Sequence, residues 1–114
     1  MSNIFPLEIN LERNKKGLNI VFSNNATYSL SAELLRVESP SAEVQGHGVE
    51  KILILNKELI QIENIESVGN YAIRIIFSDG HNSGYYTWEK LYEFAINHDK
   101  LMKDYKKQIK KFTR

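Results

Sequence analysis

Two histidines fall in short, turn-rich segments far apart in the chain. His47 lies in Ser39-Pro40-Ser41-Ala42-Glu43-Val44-Gln45-Gly46-His47-Gly48, and His81 lies in Ser78-Asp79-Gly80-His81-Asn82-Ser83-Gly84. Imidazole near carboxylate is a pairing that metal binding and acid–base chemistry both use. Glu38, Glu43 and Asp79 are the carboxylates close to these histidines in sequence. A metal site of that kind needs three or four converging ligands, and the spacing alone does not guarantee that they converge. An Fe(II) oxygenase would want His-x-Asp/Glu, but His47 is followed by Gly48-Val49-Glu50 and His81 by Asn82-Ser83. There is no Gly-x-Ser-x-Gly elbow and no glycine-rich phosphate loop with lysine. For each histidine the plainer reading is a hydrogen bond that stabilises a turn.

Both segments are built from small residues and turn formers and are flanked by apolar runs, so neither is expected to be regular helix or strand. Loops of this kind on a rigid scaffold commonly carry binding residues. The sequence therefore predicts one composite binding site from Ser39, Ser41, Glu43, Gln45, His47, Asp79, Gly80, His81 and Asn82. No catalytic residue, metal or cofactor is assigned to it.

Composition limits the classes available. With 114 residues the chain is one domain, able to bury roughly two thirds of its unfolded surface. Its 42% hydrophobic and 25% charged residues suit an ordinary globular protein. It has no cysteine, which excludes a disulfide framework, a thiol nucleophile and thiolate metal sites. No apolar run reaches membrane-spanning length and no signal peptide is readable, so a cytoplasmic location is expected. The net charge of +1 is uneven: residues 100–114 carry +6 and the remainder −5. Such a tail can bind an acidic partner, anionic lipid or nucleic acid. The plainer account is a solvated helix end whose lysines suit the negative pole of the helix dipole. Nucleic acid is not expected, because only Tyr105 and Phe112 are aromatics among those lysines.

Apolar periodicity supplies the scaffold. Ile9 and Leu11 alternate with polar neighbours, Asn14-Lys15-Lys16-Gly17 turns into Leu18–Phe22, and Asn24-Asn25 turns into Thr27–Leu30. Ser31 caps a short helix over Ala32–Arg36, and Pro40 ends it. Ile52–Leu55, Ile60–Ile65 and Tyr71–Phe77 read as further strands, and Asp79-Gly80 turns the chain toward Gly84-Tyr85-Tyr86. From the N-cap Thr87, the residues Trp88, Leu91, Ala95, His98, Met102, Tyr105, Ile109 and Phe112 make a seam with three- and four-residue spacing. A coiled-coil dimer would use that seam. The preferred reading is a helix whose first half covers the sheet while its second half projects or folds back, since Asn97-His98-Asp99 is poor helix material. Ile20-Val21-Phe22-Ser23-Asn24 echoes Ile75-Ile76-Phe77-Ser78-Asp79, so strand, turn, strand and helix occur twice. The fold class expected is α+β and two-layered. It has mostly antiparallel sheet or sheets, a short helix after the second strand and a long C-terminal helix.

Three stretches carry a family resemblance: Leu35–Gly48, Val68-Gly69-Asn70-Tyr71-Ala72-Ile73, and Phe77–Leu91. Together they resemble the γ-butyrobetaine hydroxylase-like N-terminal domain. The resemblance implies residues 1–99 as that domain and 100–114 as a basic helical extension. It also implies an accessory module rather than an oxygenase. In the family the module precedes carnitine-pathway oxygenases, is attached to some ATPases of iron–sulfur cluster assembly, or stands alone. Zinc-binding members carry Cys-Pro-Cys-x-x-Cys and the histidine of Asp-Gly-His. This chain has Ser39-Pro40-Ser41-Ala42-Glu43-Val44, with only His81 matching. The implied geometry places the Ser39–Val44 loop beside His81, with a hydrogen-bonded junction in place of metal.

The function expected is a non-catalytic accessory or protein-interaction module serving an oxygenase or a cluster-assembly factor. Tyr85, Tyr86 and Trp88 stand near its rim, where aromatic anchors would serve binding, but the plainer reading makes all three core or strand-pair residues. The alternative is a small-ligand or metal-binding protein that uses His47 and His81. An enzyme is not expected, and the oligomeric state is left open.

Overall fold

The computed structural model describes residues 3–45 and 52–112. Two three-stranded antiparallel meanders form the sheets. The first is β1 (Pro6–Leu11), β2 (Gly17–Phe22) and β3 (Thr27–Ser31), and the second is β4 (Ile62–Val68), β5 (Ala72–Phe77) and β6 (Tyr85–Thr87). Helix α1 (Ala32–Val37) follows β3, and α3 (Trp88–Ile96) follows β6. One helical turn, α2 (Ala42–Gln45), lies between the sheets in sequence, and α4 (His98–Phe112) ends the described chain. The fold is α+β, as predicted. The short helix follows the third strand in chain order.

The central strands β2 and β5 share one burial pattern, with their alternate apolar residues turned inward. Leu18, Ile20, Phe22 and Leu30 from the first sheet meet Ile62, Ile75, Phe77 and Tyr86 from the second in one core. Leu34, Leu35, Leu91 and Phe94 cover it from α1 and α3.

The sequence echo is a repeat at the level of single hydrogen bonds. The Ser23 N–H donates to Phe5 O at 2.7 Å, and the Ser78 N–H donates to Gln61 O at 2.8 Å. Each serine Oγ accepts in return, from the Phe5 N–H at 3.1 Å and from the Gln61 N–H at 3.0 Å. Phe22 donates to Ala26 O at 2.9 Å, and Phe77 donates to His81 O at 3.0 Å. The turns need a left-handed residue, which is Asn25 at φ 69° in one copy and Gly80 at φ 90° in the other. Both first strands shift register at the same place, between Pro6 and Glu8 and between Ile62 and Asn64.

Three expectations change. Ile52–Leu55 is not a strand, because its backbone bonds elsewhere: the Ile52 N–H donates to Val44 O at 2.9 Å, and Ile54 O accepts from the Tyr105 hydroxyl at 2.5 Å. The Ser39–Gly48 segment is not wholly irregular, since α2 closes on Ser41 O through the Val44 and Gln45 N–H groups. The C-terminal seam is not one helix. Asn97, at φ −110° and ψ 11°, caps α3, and its side chain donates to Glu93 O at 2.9 Å. The chain then restarts at His98, whose Nε2 lies 3.2 Å from the Ser31 nitrogen and 3.1 Å from Ser31 Oγ. Tyr105, the buried residue of α4, bonds Ile54 as above.

Ser31 and Thr87 accept from the Leu34 and Lys90 N–H groups and so cap α1 and α3. Thr87→Ala is expected to cost about 1 kcal/mol of unfolding free energy, and Ser31→Ala about 2 kcal/mol because His98 loses its hydroxyl contact as well, keeping the one to the Ser31 N–H. Urea unfolding midpoints of the two variants check the order.

Candidate functional site

The site is a knot where two bends meet. The β5–β6 turn carries His81, and the chain leaving α1 carries Ser39 and Ser41. These three are the buried polar residues among those described, at 8%, 0% and 5% exposure. His81 Nε2 lies 2.9 Å from Ser39 Oγ and 3.3 Å from Ser41 Oγ, and the two hydroxyls are 3.2 Å apart. The Ser39 hydroxyl donates to Ser41 Oγ, and whether Nε2 accepts or donates toward the two serines is set by the imidazole tautomer. Gln45, one turn on, donates from Nε2 to Ser39 O at 2.9 Å, which pins the bend from its outer side.

Asp79 sets the geometry of the other bend. Its Oδ1 accepts the His81 N–H at 3.0 Å, and its Oδ2 accepts from Arg36 Nε at 2.8 Å and Lys57 Nζ at 2.7 Å. Burial alone would raise this carboxyl. The Lys57 ammonium, the His81 N–H and the Arg36 guanidinium reverse that and hold it well below the usual carboxylate range. Gly80 occupies the left-handed position of the turn. Gly84 permits the closest approach among the described glycines, since a Cβ there would collide with Ser39 Oγ. Below the knot, the Tyr86 hydroxyl donates to Leu35 O at 2.5 Å, and burial pushes its phenol far above the ordinary value.

The structure therefore brings Ser39, Ser41 and His81 into one buried cluster, with Gln45, Asp79, Gly80 and Asn82 around it. Asn82 is exposed, and its carbonyl accepts from Arg74 Nη1 at 3.3 Å. Glu43 belongs to the backbone of α2, and His47 lies outside the described residues. Sequence reasoning missed Arg36, Lys57 and Gly84. A basic residue in the last turn of a helix reads as a dipole partner, and an isolated loop lysine carries no signal. Gly84 had a usable one, standing between a turn and a strand. Tyr86 is core, as the plainer reading of these aromatics had it, whereas Tyr85 is exposed.

Zinc does not fit these residues. Two neutral hydroxyls, one imidazole and the apolar, buried Val44 make a poor donor set. The oxygens and the imidazole are already spent on one another. Among the described residues no group of three or more His, Asp or Glu could hold a metal. Catalysis by Ser39 does not fit either, because a fully buried hydroxyl cannot reach a substrate.

Gly84→Ala is expected to destabilise the fold by about 2–3 kcal/mol, since Ser39 and the strand cannot both keep their places. Thermal unfolding checks it. Asp79 gives a pH signature: a carboxyl held low in the folded state stabilises above its unfolded value of about 4 and stops doing so as pH falls below it. The stability gap between the native chain and Asp79→Asn should therefore be constant from pH 5 to 7, by about one unit of margin, and shrink below about pH 4. Urea titrations across that range measure it.

The architecture recurs in known proteins. A protein determined in solution by NMR superposes with a TM-score of 0.80 at 42% identity, covering 92% of this chain and 83% of its own. A second NMR structure gives 0.84 at 39% identity, covering 99% and 85%. A crystal structure from Acidithiobacillus ferrooxidans ATCC 23270, described as a protein of unknown function in the DUF971 family, gives 0.67 at 33% identity, covering 79% and 91%. No curated protein matches. Residues 9–92 match the family described as "Gamma-butyrobetaine hydroxylase-like, N-terminal". The chain belongs to that family.

Proposed function

We propose that this chain is a non-catalytic interaction module of the cytoplasm that docks on a protein partner, an oxygenase or an iron–sulfur cluster-assembly factor. The observation that carries the reading is the closure of the knot. Ser39, Ser41 and His81 satisfy one another below the surface, so the most polar interior of the molecule offers no reactive atom and no open coordination position. What it offers is a rigid outer face. Gln45 and Asn82 are exposed on it, and the bend forms one wall of a cleft of about 510 Å³ whose other wall is Lys90, Glu93 and Phe94.

A cleft between a locked bend and a helix is suited to recognition by shape, with the charged rim setting orientation. Among the described residues no helix is long and apolar enough to cross a membrane. The ligand- or metal-binding alternative needs His81 to turn away from two serines, which leaves buried hydroxyls unsatisfied.

The test uses the full chain, tagged, against purified candidate partners of the two classes. Binding that is saturable and falls at least about tenfold in the double variant Gln45→Ala, Glu93→Ala supports the reading. A parallel titration with Zn(II) or Ni(II), followed through the His81 resonances, is expected to give no saturable shift. A stoichiometric metal complex involving His81 would overturn it.

A further inference from the structure

The two repeated halves meet at two junctions, and they are bonded differently. At the first, the Ile62 N–H donates to Lys15 O at 2.7 Å and Gln61 Nε2 donates to Asn14 O at 3.0 Å. At the second, Pro6 stands where Ile62 stands in the other copy, and proline has no N–H to give. Asn70, the counterpart of Lys15, has its carbonyl taken by Trp88 Nε1 at 2.7 Å instead. The junction stays open as a cleft of about 480 Å³, lined by Asn3, Ile4, Phe5, Tyr71, Trp88 and Glu89, with Thr87 beside them.

Three aromatic residues and one carboxylate line this cleft, and among the described residues no basic one does. The walls are held in place by backbone bonds: Phe5 to Ser23 in both directions, and the Trp88 N–H to Tyr71 O at 3.1 Å. Phe5 and Tyr71 are 47% and 55% exposed, a costly arrangement for two rings unless something covers them. The N-terminus of α3 contributes roughly half a positive charge here, and the full negative charge of Glu89 outweighs it. Electron-rich ring faces and a carboxylate together select a cation.

From this we infer that the open junction is a docking cleft for an arginine side chain presented by an extended segment of a protein partner. A guanidinium stacks flat on indole or phenol and keeps its N–H donors for a carboxylate such as Glu89. A partner segment fits better than a free small cation because exposed side chains continue past the cleft: Tyr85 projects from the same face of β6 as the lining Thr87, and Arg74, opposite it in the register, is paired with Glu66. The site is separate from the Ser39–His81 knot, and its failure leaves the reading of that face unaffected.

Trp88 is the chain's one tryptophan, so its fluorescence reports on this cleft alone. The native chain is titrated with acetyl-Gly-Arg-Gly-amide, with the neutral citrulline isostere, and with tetramethylammonium chloride. The arginine peptide is expected to change Trp88 emission saturably in the millimolar range, with the other two at least about tenfold weaker. Tyr71→Leu keeps the bulk and removes the ring face, and it should weaken the arginine peptide about tenfold. Glu89→Gln should weaken it several-fold, and more so at low salt. Equal binding of citrulline would show a merely apolar groove, tighter binding of tetramethylammonium would show a small-molecule cage, and no saturable response would show no site. Each of these three results overturns the inference.

Discussion

The contact between Ser39 Oγ and His81 Nε2 joins two bends separated by most of the second sheet's sequence, and it does so where water cannot substitute. Unpaired, either group would carry the full cost of burial without compensation. The surroundings therefore serve the contact. Gly84 gives up its side chain to let Ser39 in, Asp79 fixes the turn that presents the imidazole, and Gln45 fastens the bend from outside. Two cations on Asp79 keep that carboxylate ionised and the turn intact.

Around this contact the molecule is a doubled unit that has diverged unevenly. Backbone features survive in both halves: the register shift, the serine that bonds in both directions, the left-handed turn residue and the hydroxyl cap. Side chains at equivalent places do not. Ala26 stands where the other copy has His81, Ala32 where it has Trp88, and Pro6 where it has Ile62. Repeated main-chain bonding is what holds each meander together, so it resists change. The positions that differ are those facing the other half or the solvent, and both the knot and the open junction arise there.

How much of this could be read from residues alone depends on whether the cause is local. The apolar runs Leu18–Phe22 and Tyr71–Phe77, the turns at Asn24-Asn25 and Asp79-Gly80 and the two hydroxyl caps are local, and they were legible. Ile52–Leu55 looked like a strand because four apolar residues in a row suit one. Its hydrogen bonds go to α2 and to a tyrosine far along the chain, which no short pattern reveals. In the helix seam the apolar spacing runs on through Asn97, but Asn97-His98-Asp99 reads as poor helix material, and the capping bond to Glu93 stops the helix there. The meeting of the Ser39 bend with His81 came from family resemblance, not from spacing. The cations that hold Asp79 came from neither.

Two bonds described at the start of the chain's irregular segment place the last helix in mechanical series with the knot. Tyr105 grips Ile54, Ile52 grips Val44, and Val44 closes the turn on Ser41, which touches His81. The lysine-rich end of the molecule is thus joined to the imidazole by a tether of four links, beside the packing of Leu101 and Met102 against the core. The C-terminal helix is coupled to the bend as well as packed on α1 and α3.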